Sequence, residues 1–115
     1  MKRERLYLHD IVVAADAIAE FLSGQDQESF DDSTLVESAV AFQLTIIGEA
    51  VSHLPEDLKA RYPAVPWGQI IGLRNQVVHH YFGLGWDSIW DTVNTEVPVL
   101  RNQVAEILRA EFPDS

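Results

Sequence analysis

The chain reads as an all-α protein, an antiparallel bundle of four main helices with one additional short helical turn. Three observations predict this class. Apolar residues recur at spacings of three and four through several long segments, no stretch alternates as a strand does, and the main proline and glycine clusters fall between the periodic segments.

The first helix follows from Leu8, Ile11, Ala15, Ile18 and Leu22, one apolar stripe that ends at Ser23-Gly24. Gln25 to Ser33, carrying Asp26, Glu28, Asp31 and Asp32, reads as a solvated loop. Thr34 and Glu37 have capping-box form and open a second helix, with Val36, Val40, Leu44, Ile47, Val51 and Leu54 on one face. Ala39, Phe42, Ile46 and Ala50 widen that face beyond what a surface helix needs, so this helix is central or interfacial. Pro55, Pro63 and Pro66 confine Glu56 to Val65 to one short turn around Asp57 to Arg61. A third main helix is expected from Trp67 to about Tyr81, stopped near Gly83 and Gly85. Trp86, Trp90, Val93, Val97, Leu100, Val104 and Ile107 then define a long last helix, bent where Pro98 removes a backbone donor.

At 115 residues the chain is expected to form a single domain over 1–115. The basic start, Met1-Lys2-Arg3-Glu4-Arg5, leads into an amphipathic pattern rather than a signal-peptide core, and no run of membrane-spanning length is wholly apolar, so a cytoplasmic protein without a membrane association is expected. The absence of cysteine excludes disulfides, thiolate metal sites and cysteine nucleophiles. A formal charge of −10 argues against broad nucleic-acid binding and leaves Lys59, Arg61, Arg74 and Arg101 as scattered candidates for a local positive cleft.

The chemically dense segment is Arg74-Asn75-Gln76-Val77-Val78-His79-His80-Tyr81. On a helical wheel Ile70, Leu73, Val77, Val78 and Tyr81 form an apolar arc with Arg74 inside it, so Arg74 needs a buried partner or an interface. Asn75 and His79 share the opposite side with Gly68 and Gly72, and mid-helix Gly72 suggests close approach by a backbone, a subunit or a phosphate. Arg74 and His79 stand about 140° apart on the wheel, which favours a composite site where two copies of this helix meet. Arginine holds a phosphate oxygen and histidine exchanges protons near neutral pH, a pairing suited to phosphoryl transfer without a metal.

Plainer readings exist for each residue. His79 fits a helix-terminal cation, Arg74 a bundle ion pair with Glu49, His80 an exposed or auxiliary side chain, and Tyr81 a core aromatic with its hydroxyl at the rim. Trp67, Trp86 and Trp90 could stack on bases but are better read as packing. His9 and His53 lack metal-ligand companions at a convincing spacing, so neither a metal site nor a cofactor is expected.

Arg74-Asn75, three residues, His79, one residue and Tyr81 resemble the signature of HepT-like HEPN proteins. Gln43-Leu44, Ile46-Ile47-Gly48-Glu49-Ala50, Pro66-Trp67, Ile70-Ile71-Gly72, Tyr81-Phe82-Gly83 and Val97-Pro98 extend the likeness from about Asp10 onward. The resemblance implies a HEPN-like bundle, a homodimer with the motif lining the cleft, and a metal-independent RNA endonuclease acting as the toxin of a type II toxin-antitoxin system. Carried over, Arg74 and His79 are catalytic and Asn75 supports them. The implied partners are an RNA substrate and a minimal nucleotidyltransferase antitoxin, which in some such pairs transfers AMP to the motif tyrosine, here Tyr81. The competing class is a noncatalytic nucleotide- or partner-binding helical module that regulates a nucleotidyltransferase.

Overall fold

The computed structural model describes residues 3–114. Met1 and Lys2, which open the basic N-terminal run, and Ser115, the end of the expected domain, lie outside the described residues. The four main helices are α1 (Arg3–Leu22), α3 (Thr34–His53), α5 (Trp67–His79) and α7 (Val97–Glu111). Shorter α2 (Gln27–Asp31), α4 (Glu56–Arg61) and α6 (Trp86–Asp91) join them, and the described residues include no strand.

The bundle is built outward from α3, which packs against α1 on one side and α5 on the other, while α7 packs on α1. Tyr7 near the start of α1 meets His53 at the end of α3, and Tyr81 just beyond α5 meets Ser38 near the start of α3, so both neighbours run antiparallel to α3. The core is aliphatic: Leu8, Ile11, Ile18, Val40, Ile47, Val51, Val104 and Ile107 are all buried. By length and a mean hydropathy of 1.4, α3 could cross a membrane, but Val40, Leu44, Ile47 and Val51 are buried in the core with α1 and α5 packed against the helix.

The acidic stretch after α1 is helical where a loop was expected. Asp26 caps α2 by accepting from the Ser29 N–H, while Ser29 Oγ accepts from the Asp26 N–H. Hydrogen bonding from Ser29, its backbone first and its side chain second, holds the Asp26 carboxyl below its ordinary pKa. The reason for the turn is Phe30, fully buried against Trp86 and Trp90 with ring centroids 6.0 and 5.2 Å away. One aromatic anchor, worth about 2–3 kcal/mol of burial, orders a segment whose composition looks solvated.

Other boundaries shift for local reasons. Ser33, not Thr34, caps α3 by accepting from the Val36 N–H at 3.1 Å, so the Thr34–Glu37 capping box does not form. Of the wide α3 face, Ala50 is buried, Ala39 and Ile46 are half-buried and Phe42 is exposed. α5 ends at His79; His80 leaves helical geometry and Tyr81–Gly83 form a 3₁₀ turn. The last helix is continuous in path but carries a π-helical turn over Thr92–Glu96, in which the Val97 N–H bonds to the Thr92 carbonyl. That register change falls immediately before Pro98, in the first turn of α7, where a missing donor costs little. All three tryptophans pack as expected: Trp67 is buried and donates from Nε1 to the carbonyls of Tyr62 and Lys59, at 3.1 and 3.2 Å.

Candidate functional site

The helix with the densest chemistry is the least enclosed of the four. Only Trp67 and Val77 are buried in α5, against Val40, Ala41, Leu44, Ile47, Gly48, Ala50 and Val51 in α3. α5 leans on the bundle mainly through α3, leaving Asn75, Val78 and His79 exposed.

Arg74 is fixed from below by Gly48. A Cβ at Gly48 would overlap Cβ and Cγ of Arg74, so glycine there is what lets α5 approach α3 at this level. Gly72 and Gly68, by contrast, face open space within the chain. Within one chain the close helix approach is made at Gly48 and not at Gly72, because Arg74 points back across α3 while Gly72 faces open space.

The Arg74 side chain is 17% exposed, and Nη1 donates to Glu49 Oε2. Its Nε donates to Asn75 Oδ1 at 2.8 Å. Asn75 thus braces the guanidinium from the same helix, and Nη2 has no partner among the described residues. Glu49 also faces His53, with Oε1 3.9 Å from Nε2, and the His53 ring lies over Tyr7 at 5.2 Å and 17° between planes. Glu49 and His53 lie one helical turn apart on α3, but nothing in the sequence signals Tyr7, which only helix packing delivers.

His79 ends α5 with its imidazole exposed and without a hydrogen bond among the described residues. No contact joins it to Arg74 within one chain. His80 is also exposed. Tyr81 is half-buried, set edge-on to Phe82 and Trp86, with its hydroxyl 3.1 Å from Ser38 Oγ. Sequence reasoning missed Ser38, whose partner lies in a different helix.

The scattered cations do not form a common cleft. Lys59 pairs with Glu56, Arg61 with Glu111 and Asp57, and Arg101 with Asp16. Arg109 pairs with Glu106. Hydrogen bonding to Glu111 and to Asp16 raises the Arg61 and Arg101 pKa values further. A concavity of about 250 Å³ lies between α3, α5 and α7, lined by Leu44, Ile47, Ile70, Leu73, Val97 and Leu100 among others. Its one ionisable lining residue is Glu96, which repels phosphate, so this concavity does not suit a phosphate group. No group of three or more potential metal ligands occurs among the described residues.

An all-α bundle carrying Arg, Asn, His and Tyr at the end of its outermost main helix defines a HEPN-like bundle protein. The HepT-like ribonuclease family matches residues 11–107, and the chain belongs to that family. It is 38% identical over 111 residues to a protein of Caldanaerobacter subterraneus whose name marks it provisionally as an RNase, covering 96% of this chain and 99% of the relative. It is 34% identical over 108 residues to a protein of Thermococcus cleftensis named probable ribonuclease HepT, covering 93% and 98%. A third relative, from Methanocaldococcus jannaschii and also named provisionally as an RNase, is 37% identical over 108 residues, covering 94% and 89%. Among solved structures none matches the chain.

Proposed function

We propose that this ribonuclease is the toxin of a type II toxin-antitoxin pair, a cytoplasmic metal-independent RNA endonuclease that works as a homodimer. The observation that carries the reading is the uncovered face around the motif. Leu35 is 81% exposed, Phe42 63%, Val78 51% and Phe82 101%, and these apolar side chains flank Arg74, Asn75 and His79 on α3, α5 and the turn after it. A second copy burying that face brings four motif side chains, two arginines and two histidines, to one cleft and supplies the Arg–His meeting that one helix does not.

In that cleft His79 takes the proton from a ribose 2′-hydroxyl as its oxygen attacks the adjacent phosphorus. The P–O5′ bond breaks, the 5′-oxygen gains a proton, and the products are a 2′,3′-cyclic phosphate and a 5′-hydroxyl. Arg74, held by Asn75, stabilises the charge that grows on the phosphoryl oxygens, through the uncommitted Nη2 and in competition with Glu49. His80 is close enough in sequence to assist. A minimal nucleotidyltransferase antitoxin silences the enzyme by moving AMP from ATP onto the Tyr81 oxygen, with release of pyrophosphate; the added anion at the cleft mouth repels RNA.

The test is cleavage of labelled RNA in EDTA by the purified dimer with an unmodified Tyr81. Wild type is expected to leave cyclic-phosphate ends, and His79→Ala to lose about 100-fold or more in rate with an unchanged melting curve. Intact RNA after incubation with wild-type dimer would instead support the binding-module reading.

A further inference from the structure

We propose that Arg3, Tyr7 and His53 form an RNA-binding track beside the Arg74 site, in which Arg3 holds a backbone phosphate and the Tyr7–His53 ring pair stacks on a base of the neighbouring nucleotide. This rests on the ribonuclease reading above and names how a protein with a charge of −10 holds its substrate. Lys59, Arg61, Arg74, Arg101 and Arg109 each have a carboxylate partner. Among the described residues, Arg3 and Arg5 are the lysine or arginine side chains without one. They lie on different flanks of α1. Arg3 precedes Tyr7 by one turn on the side facing α3, whereas Arg5 shares the flank of Asp16, which pairs with Arg101 of α7.

The track is contiguous with the proposed catalytic group. Arg74 binds Glu49, Glu49 stands 3.9 Å from His53, and His53 lies over Tyr7 at 5.2 Å. The His53 side chain is 57% exposed, so one ring of the pair is open to a base. Stacking on a ring face needs no net positive charge and is tolerant of sequence, which suits an acidic protein better than a lysine-rich groove would. One uncompensated arginine at the positive end of α1 then supplies the phosphate contact.

The experiment measures binding by the full-length protein to a fluorescein-labelled, fully 2′-O-methylated RNA of about twelve nucleotides, which cannot be cleaved, across a salt series. Arg3→Ala is expected to weaken binding and to lower the magnitude of the log–log salt slope by about 0.7, one single-strand phosphate contact. Tyr7→Leu is expected to weaken binding about fivefold or more with the slope unchanged, and Tyr7→Phe to restore it. A purely structural Tyr7–His53 stack would lower the melting temperature of Tyr7→Leu and leave affinity and slope at wild-type values, which overturns the track. If Tyr7→Leu does not fold, Arg3→Ala and Arg3→Glu decide alone, since Arg3 is exposed. Failure of the wild type to bind the probe also overturns the track, while cleavage of unmodified RNA, assayed in parallel, decides the ribonuclease reading separately.

Discussion

The two flanks of the bundle hold their charged groups differently. On the α1–α7 flank, Arg101 is locked to Asp16, and Arg61 of α4 and Tyr62 just beyond it clasp Glu111 at the end of α7. On the α3–α5 flank, Arg74 rests on Gly48 with an uncommitted nitrogen, His79 stands free, and Phe42, Val78 and Phe82 are uncovered. Arg101 and Arg61 are closed into ion pairs on one flank, while His79 and one nitrogen of Arg74 stay uncommitted on the other; exposed apolar side chains occur on both, Leu6 and Val13 on α1 and Val99 on α7 among them. Counting cations or apolar residues does not distinguish the two; their neighbours do.

Substitutions can break or sharpen that contrast, and the largest effect is expected away from both flanks, where α2 packs on α6. Phe30→Ala should cost about 3–5 kcal/mol, read by urea unfolding, because Trp86 and Trp90 lose their common anchor. Next is Gly48→Ala, which should destabilise by about 1–3 kcal/mol and slow RNA cleavage, since the added methyl group must displace Arg74. Gly72→Ala should do the reverse to the isolated fold. It faces open space, so the monomer should gain up to about 1 kcal/mol of stability, and sedimentation should show weaker self-association if that face meets a second copy.

The smallest effect tests the closed flank. Hydrogen bonds from Arg61 and then Tyr62 hold the Glu111 carboxyl below its ordinary value, so its folded pKa lies under its unfolded one. The resulting stabilisation is present above the unfolded carboxylate range and is lost as pH falls through the folded pKa. Glu111→Gln should therefore lower the melting temperature slightly at neutral pH and flatten its decline on acidification. At the high end, Tyr62 is pushed up by the same hydrogen bond to Glu111, by desolvation and by the carboxylate charge, so the clasp should persist through mildly alkaline pH.

The main helices were legible because periodicity reports burial directly: Leu8, Ile11, Ala15, Ile18 and Leu22 are all buried. The acidic stretch misled because composition averages over residues, whereas Phe30 acts singly. In the candidate site, the wheel separated Arg74 from His79, and within one chain no contact joins them. The wheel also marked Gly72, but a glycine inside a helix says only that a neighbour could come close, not which one does. Glu49 was visible as a partner for Arg74 because arginine on an apolar arc needs one. Ser38 and Tyr7 were not, since each meets its partner from a different helix.

By itself, then, the sequence determined the all-α class, the order of the main helices and the motif segment at the end of α5, because these depend on local periodicity, capping and spacing. Only the tertiary structure decided which glycine admits a neighbour, which cations are neutralised and which apolar side chains remain uncovered. Those are properties of pairs of helices. Their physical cause is that burial and ion pairing depend on distances between segments, and no single segment contains that distance.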